Sequence, residues 1–371
     1  MGHAGAGGRT RTPETGDIME QINVGVIGTG WCGGIRAETC ALNPLVRDLH
    51  IAETRPERLA EMAKSTRAKT ATDDYRRLID DESISAVMIS ATPEHLHYPM
   101  TRAALLAGKH VLLEKPVAQT LAEADELIAL AADNNLKFTI GYSQRFRAKY
   151  VYTREKLRDG TIGDPVSVLI SRHITRQLSM KITGRTRLSP AAMEATHDLD
   201  YALWCLAPRQ PVRVYSQQVE KVLIKTSNSP DCQFIMVTLD DGTGITVGAG
   251  WVLPPSYPNY CSTVMEFVGS EGALMVDDTH KDVTQMTMGR GIEFPMSSMP
   301  GEPVGHTWAG PMAQETISFL EAVALDREVV VKPAEARKVM EVYIAADLSA
   351  ERGEPVPLPL NEDPSVRRIA V

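Results

Sequence analysis

Lys115 closes the apolar run VLLEKP and is followed at once by Pro116. A lysine at the carboxyl end of a buried-looking strand stands where open parallel sheets bind their ligands. Pro116 denies Lys115 the helical region and holds it extended or in a turn. An amine fixed in a partly dry cleft suits general acid and base work, because desolvation draws its pKa down from roughly 10.4. A surface pair of Glu114 and Lys115 would account for the tripeptide as well, so the lysine takes its meaning from its company. That company begins with Gly28, Gly30 and Gly33, spaced GxGxxG directly after a short apolar run. The first glycine permits a tight turn, the second lets backbone approach a pyrophosphate, and the third lets helix and strand pack closely. Thr29, Trp31 and Cys32 complete the turn, and the helix that follows offers free N–H groups to an anion. Glu53 ends the next strand-like run, where a carboxylate accepts from a ribose 2′-OH and repels a 2′-phosphate. This points to NAD, with a solvated strand-end acid as the plain alternative. Arg55, two residues on, can pair with a 2′-phosphate, which keeps NADP possible.

Such residues need a parallel sheet beneath them, and the chain supplies one. Strand-like runs at 22–27, 47–53, 69–71, 85–91, 110–114 and 136–142 alternate with helical patterns at 33–42, 56–65, 74–80, 95–107 and 120–135. That alternation predicts a doubly wound α/β sheet. After residue 144 the rhythm changes. A helix at 149–159 ends at Gly160, and longer Val/Ile/Thr-rich runs follow at 165–175, 211–225, 231–240, 243–252, 260–268 and 273–277. Asp241-Gly242 is a hairpin signal. A helix at 190–206 interrupts these strands, with Ser189 as N-cap and Pro190 as first helical residue. Helices at 311–325 and 333–350 close the pattern, and 278–310 reads as a long loop. The expected architecture is an N-terminal Rossmann domain over 22–143 and a C-terminal α+β domain over 144–371 with a large, mostly antiparallel open sheet. The open face of that sheet should carry apolar residues such as Val247, Trp251 and Val264, or their alternating neighbours. Such a face favours a homodimer or homotetramer.

With 371 residues, 43% hydrophobic and 23% charged, the chain has the composition of an ordinary globular protein. Its net charge of −8 argues against a nucleic-acid surface. No apolar run approaches the roughly 18 residues of a membrane helix. Cysteines 32, 40, 205, 232 and 261 show neither paired nor metal-ligand spacing, so no metal is expected and reduced thiols in the cytoplasm are. Residues 1–21 read as a disordered tail without a secretory h-region, and Met19 could serve as an alternative start.

Taken together, GxGxxG, ISATPEHLHYPM at 89–100 and GKHVLLEKPVA at 108–118 resemble the Gfo/Idh/MocA oxidoreductases, the glucose–fructose oxidoreductase and inositol dehydrogenase group. GYSQRF at 141–146, HDLDYALW at 197–204, FVGSEGALMVD at 267–277 and the closing LSAERGEPVPL extend the likeness over 22–358. The resemblance implies that Lys115 is the catalytic lysine, in a cis peptide with Pro116, beside nicotinamide and substrate hydroxyl. It implies that Thr92, Pro93, His97 and Glu114 lie at the cofactor. It also makes His197 the active-site histidine of an HxxD helix, where the bare residues alone favour a core histidine satisfied by Asp200. One departure stands out. Inositol-dehydrogenase-like members carry an aspartate four residues before this histidine, and here that residue is Met193; Glu194 is the candidate stand-in. The Gly-Gly that often precedes the helix is Leu188-Ser189-Pro190.

The implied activity is NAD(P)-dependent interconversion of a secondary alcohol and a ketone on a sugar, cyclitol or related polyhydroxylated molecule. Arg145, Arg172, His173, Arg176 and Asp200 are candidate substrate contacts, and the arginines and His173 are also compatible with solvated strand positions. Two other readings stay open: a glycosidase that oxidises a sugar transiently with bound NAD, and a cofactor-binding sensor without chemistry.

Overall fold

A computed structural model of the protein describes residues 21–183, 188–279, 282–296, 300–361 and 364. The N-terminal tail with Met19 lies outside the described residues. The first strands are β1 (Ile22–Ile27), β2 (Val46–Ala52), β3 (Thr70–Thr72), β4 (Ala86–Ile89), β5 (His110–Leu113) and β6 (Phe138–Ile140). They form one parallel sheet in the order β3-β2-β1-β4-β5-β6. Helices α1 (Trp31–Leu42), α2 (Pro56–Thr66), α3 (Arg76–Ile79), α4 (His97–Leu106) and α5 (Leu121–Asp133) connect them. Strands β1, β4 and β5 are mostly apolar and buried because helices cover both faces of the sheet. Thr120 starts α5 with a reciprocal capping box to Glu123, which ends the segment after Lys115 and Pro116 firmly. The strand order reverses between β1 and β4, which opens a crevice at their carboxyl ends.

The second half holds α6 (Ala148–Arg158), β7 (Pro165–Thr175), α7 (Arg176–Thr183), α8 (Thr196–Leu206), β8 (Pro211–Val219) and α9 (Ile224–Ser227). These are followed by β9 (Cys232–Leu239), β10 (Gly244–Leu253), β11 (Cys261–Gly269), β12 (Ala273–Asp277), β13 (Gln285–Thr287), β14 (Gly291–Glu293), β15 (Glu302–Val304) and β16 (Thr307–Ala309). Helices α10 (Pro311–Ala324) and α11 (Pro333–Arg352) precede β17 (Val356–Pro357). A seven-stranded sheet runs β12-β11-β7-β10-β9-β8-β17. All its pairs are antiparallel except β7–β10, which is parallel.

Several expectations change. The 211–225 run stops at Val219 and turns into short α9, and the 278–310 segment contains two small hairpins. Val247 and Trp251 point inward and are fully buried, whereas Val264 lies on the open face. Alternation along each strand is the reason: once Ile245 faces the core, so do residues 247, 249 and 251. The division at residue 144 is crossed by α10. Phe319 and Leu320 of α10 pack into the nucleotide-domain core with Val24, Val26 and Ala37. Among the described residues, no helix is long and apolar enough to cross a membrane.

Candidate active site

The glycine turn is built as a cradle. Gly28 has φ +80°, and a Cβ there would meet the Ser90 backbone at 2.9 Å; at Gly33 a Cβ would sit 1.8 Å from the Gly28 carbonyl. At Gly30 the same test meets nothing nearer than an Arg55 nitrogen at 3.9 Å. The first and third glycines thus serve packing, and the second leaves its side open for a ligand. Trp31 is exposed at the start of α1. Burial, with Glu114 nearby, pushes the Cys32 thiol up to about 12, so it is no thiolate. These features fit a dinucleotide at the crevice.

Glu53 sits at the end of β2 beside this turn. Its Oε2 accepts from the Thr29 N–H at 2.9 Å, the Thr29 hydroxyl at 3.1 Å and Arg55 Nη2 at 3.1 Å. Its Oε1 accepts from the Arg55 N–H at 3.1 Å and from Nε at 2.9 Å. Burial alone would raise its pKa, but the Arg55 and Thr29 hydrogen bonds outweigh it and hold the carboxyl at about 2. Arg55 itself is 61% exposed. Glu53 and Arg55 thus form a closed pair beside the glycine turn.

Beyond β4 and β5 lie the two strand-end loops. Thr92–Pro93 and Lys115–Pro116 are both cis, and Thr92 and Pro93 are exposed. His97 is 1% exposed; Nδ1 lies 2.7 Å from the Pro116 carbonyl and Nε2 3.0 Å from the Ala91 carbonyl. His97 is corrected to a staple between the loops, since neither nitrogen is left for a cofactor. Glu114 accepts from the buried Arg36 of α1 at 2.5 Å, and Arg36 also donates to Ser90 at 2.8 Å and to Glu315 of α10 at 2.7 Å. Lys115 Nζ donates to the Met193 carbonyl at 2.9 Å and approaches Met193 Sδ at 3.2 Å.

Met193 belongs to a π-helical turn, Ala191–Ala195, that runs straight into α8. Single π turns re-aim side chains and occur often at functional sites. Ser189 caps it as expected, accepting the Ala192 N–H at 3.1 Å while donating to Asp347 at 2.8 Å. His197 is half-buried, with the Tyr142 ring edge-on at 6.1 Å between centroids. Its Nδ1 is buried without a partner. Burial, then the charges of Lys115, Arg172 and Arg147, hold its pKa well below 6.5, so the imidazole is neutral at pH 7. Asp200 is not its partner. Asp200 is fully buried in a bidentate pair with Arg145, at 2.9 and 2.6 Å, and Arg145 also donates to Glu335 at 2.5 Å. Arg145 and Asp200 are thus removed from the substrate contacts.

Arg172 is likewise committed, to Asp198 at 2.6 and 2.8 Å, and acts on the site only as a buried charge. His173, the next residue on β7, points to the opposite, outer face of the sheet. Arg176 begins α7, an element the sequence reading missed, and donates to the Val252 carbonyl at 3.2 Å. Glu194 is 7% exposed; burial raises its pKa against the lowering pull of Lys115 and Arg172. The charges that bear on Glu194 are those of Lys115, Arg172 and Asp198. Arg36 and Glu315 are site-supporting residues with no local signal in the sequence, whereas Tyr142 and Asp198 lie within the GYSQRF and HDLDYALW runs but are not singled out there.

Residues 22–142 match the family described as "Oxidoreductase family, NAD-binding Rossmann fold", and 154–358 match the C-terminal alpha/beta domain of that family. Levoglucosan dehydrogenase of Pseudarthrobacter phenanthrenivorans is 34% identical over 154 residues, 39% of either chain. Inositol 2-dehydrogenase of Rubrobacter xylanophilus is 26% identical over 273 residues, 69% of this chain and 72% of that protein. The crystal structure of scyllo-inositol dehydrogenase from Lactobacillus casei, with bound NAD(H) and scyllo-inositol, shares the fold at a TM-score of 0.79. The two are 21% identical over 91% of this chain and 99% of that one.

Proposed function

The chain belongs to the Gfo/Idh/MocA oxidoreductase family, and from that membership and the site we propose that it is an NAD-dependent dehydrogenase of a sugar, cyclitol or related polyhydroxylated molecule. The observation that carries this reading is the meeting of Lys115, at the carboxyl end of β5, with the turn that bears Met193 and leads to the neutral His197. Bound NAD supplies the hydride acceptor. The cradle of Gly28, Gly30 and Gly33 and the carboxylate of Glu53 would hold the dinucleotide, with Thr92 and Pro93 as further contacts from the loop after β4. Lys115 keeps an ammonium hydrogen free of the Met193 carbonyl, and with it orients the substrate oxygen. His197 takes the hydroxyl proton at Nε2, because Nδ1 is buried. As hydride leaves the carbinol carbon, the carbon–oxygen bond becomes a carbonyl, and the imidazolium returns its proton to water. Glu194 acts as a positioning residue through Lys115.

Lys115→Ala should leave the NAD dissociation constant nearly unchanged and lower kcat by about a hundredfold to ten-thousandfold. Steady-state NADH formation on a panel of inositols and sugars reads both. Turnover surviving within a few-fold would reduce Lys115 to a strand-end lysine. Substrate cleavage without NADH accumulation would favour the glycosidase reading instead.

A further inference from the structure

Among the described residues, the surroundings of Met193 are mostly apolar. Met193 packs against the main core and also against a small cluster of Ile174, Leu223, Trp251 and Cys261. The half-buried Leu178, Val252 and Tyr260 share that second cluster with it. Trp251 is fully buried behind them. Among the described residues, the side-chain atom brought to the Lys115 amine is the Met193 thioether sulfur, at 3.2 Å. A thioether donates no hydrogen bond and accepts only weakly. The adjacent carboxylate, Glu194, is buried with Trp251 and Arg172 around it.

We propose that Met193 determines specificity, selecting secondary alcohols whose carbon next to the carbinol carries a hydrogen, an ether or an O-alkyl group instead of a free hydroxyl. This rests on the dehydrogenase reading above. A substrate oxygen held by Lys115 brings its neighbouring carbon against the sulfur. A free hydroxyl there gives up water and meets in exchange a thioether that accepts only weakly, which is costly in a buried site. A methylene or methyl ether gives up little and gains contact with the sulfur, which packs adaptably. Deoxy, anhydro and O-alkylated sugars or cyclitols are the substrate class these surroundings accept.

The test compares kcat/KM for matched pairs with NAD present. Such pairs are an inositol and its mono-O-methyl ether, and glucose with its 2-deoxy and methyl glycoside derivatives. The wild type should favour the member lacking the free hydroxyl by about tenfold or more, in the range an apolar pocket achieves. The difference should fall in KM more than in kcat, because the contact exists before and during reaction. Met193→Leu should keep the sign of the preference, and Met193→Asp should reverse it. A wild-type preference for the free hydroxyl would overturn the proposal. So would a Met193→Asp protein that still binds NAD and keeps the wild-type ratio. If no pair yields NADH with any of the three proteins while NAD still binds, the dehydrogenase reading itself falls, and this inference with it.

Discussion

At the scale of single residues, charge balance around two carboxylates and one imidazole decides what the site does. Glu53 is ionised at any working pH, but Arg55 already covers it. A ribose 2′-OH must share or displace that guanidinium, whereas a 2′-phosphate meets a carboxylate whose charge is partly offset. NAD should bind more tightly than NADP. Arg55→Ala should widen the gap by about tenfold, the worth of roughly 1.4 kcal/mol, by baring the carboxylate; Glu53→Ala should narrow it. Fluorescence titration with both reduced cofactors reads this, and tighter NADPH binding by the wild type would refute it. His197 supplies the second prediction. Its pKa is held below 6.5 by burial and by Lys115, Arg172 and Arg147, so the base form persists into mildly acid solution. The acid limb of kcat/KM should lie below pH 6.5 and vanish in His197→Gln. Glu194→Gln should lower the rate without moving that limb if the carboxylate works through Lys115, one of the charges that bears on it. A limb that moves with Glu194 would instead couple that carboxylate to the imidazole. Much of this was legible in the sequence. Gly28, Gly30, Gly33 and Glu53 act within one βαβ unit, so their spacing carries their geometry, and Pro116 fixes Lys115 locally. Arg145 and Asp200 were misread, because whether a buried charge meets a ligand or a distant partner is not written in its neighbours.

At the scale of elements, α10 joins two halves that the sequence appeared to separate. The Arg36–Glu315 contact spans 279 positions, and no periodicity or motif announces it. Helix α7 was hidden for a different reason: RQLSMKIT continues a β-branched run without a start signal. The π turn at Ala191–Ala195 was hidden because a helical pattern is read at 3.6 residues per turn. Within the α10 contact, one guanidinium serves two carboxylates, the buried Glu315 and the partly buried Glu114. Burial, with Glu114 as a second anion, outweighs Arg36 and raises Glu315 from 4.5 to about 7. The folded protein therefore holds a proton there that the unfolded chain releases from pH 4.5 upward. That contribution to stability is whole below pH 4.5 and is lost as pH rises through about 7. The amount at stake is on the order of 3 kcal/mol. Glu315→Gln removes the titration, so its Tm relative to wild type should climb between about pH 5 and pH 8. A constant difference across that range would place the proton elsewhere.

At the scale of the whole molecule, the seven-stranded sheet presents a face that the described elements leave uncovered. Its inner face packs on α8, α11 and the π turn through Ile170, Ile235, Val247 and Met265. Across the outer face, the register lines up Met275, Glu266, Leu169, Thr246, Met236 and Tyr215 from strand to strand. The next row lines up Val264, Ser171, Gly248 and Phe234, and the Phe234 ring lies 3.0 Å from where a Gly248 Cβ would stand. Met275, Met236, Phe234 and Leu169 are 64, 56, 46 and 48% exposed. A contiguous apolar patch of this kind is rarely left to water and is the usual mark of an interface. A second copy of the same chain can cover it by symmetry, because an isologous contact brings one patch against itself. We therefore expect a homo-oligomer assembled through this face, with a light-scattering mass at micromolar concentration that is a multiple of the 40.6 kDa chain. Replacing Phe234 and Met236 together with glutamate should shift that mass to a single chain. Far-ultraviolet circular dichroism should be preserved, since both side chains lie outside the core and like charges would then face each other across the contact. A wild type that already runs as one chain would show that the patch is not a self-association surface. An unchanged multimer in the double variant would place the interface elsewhere.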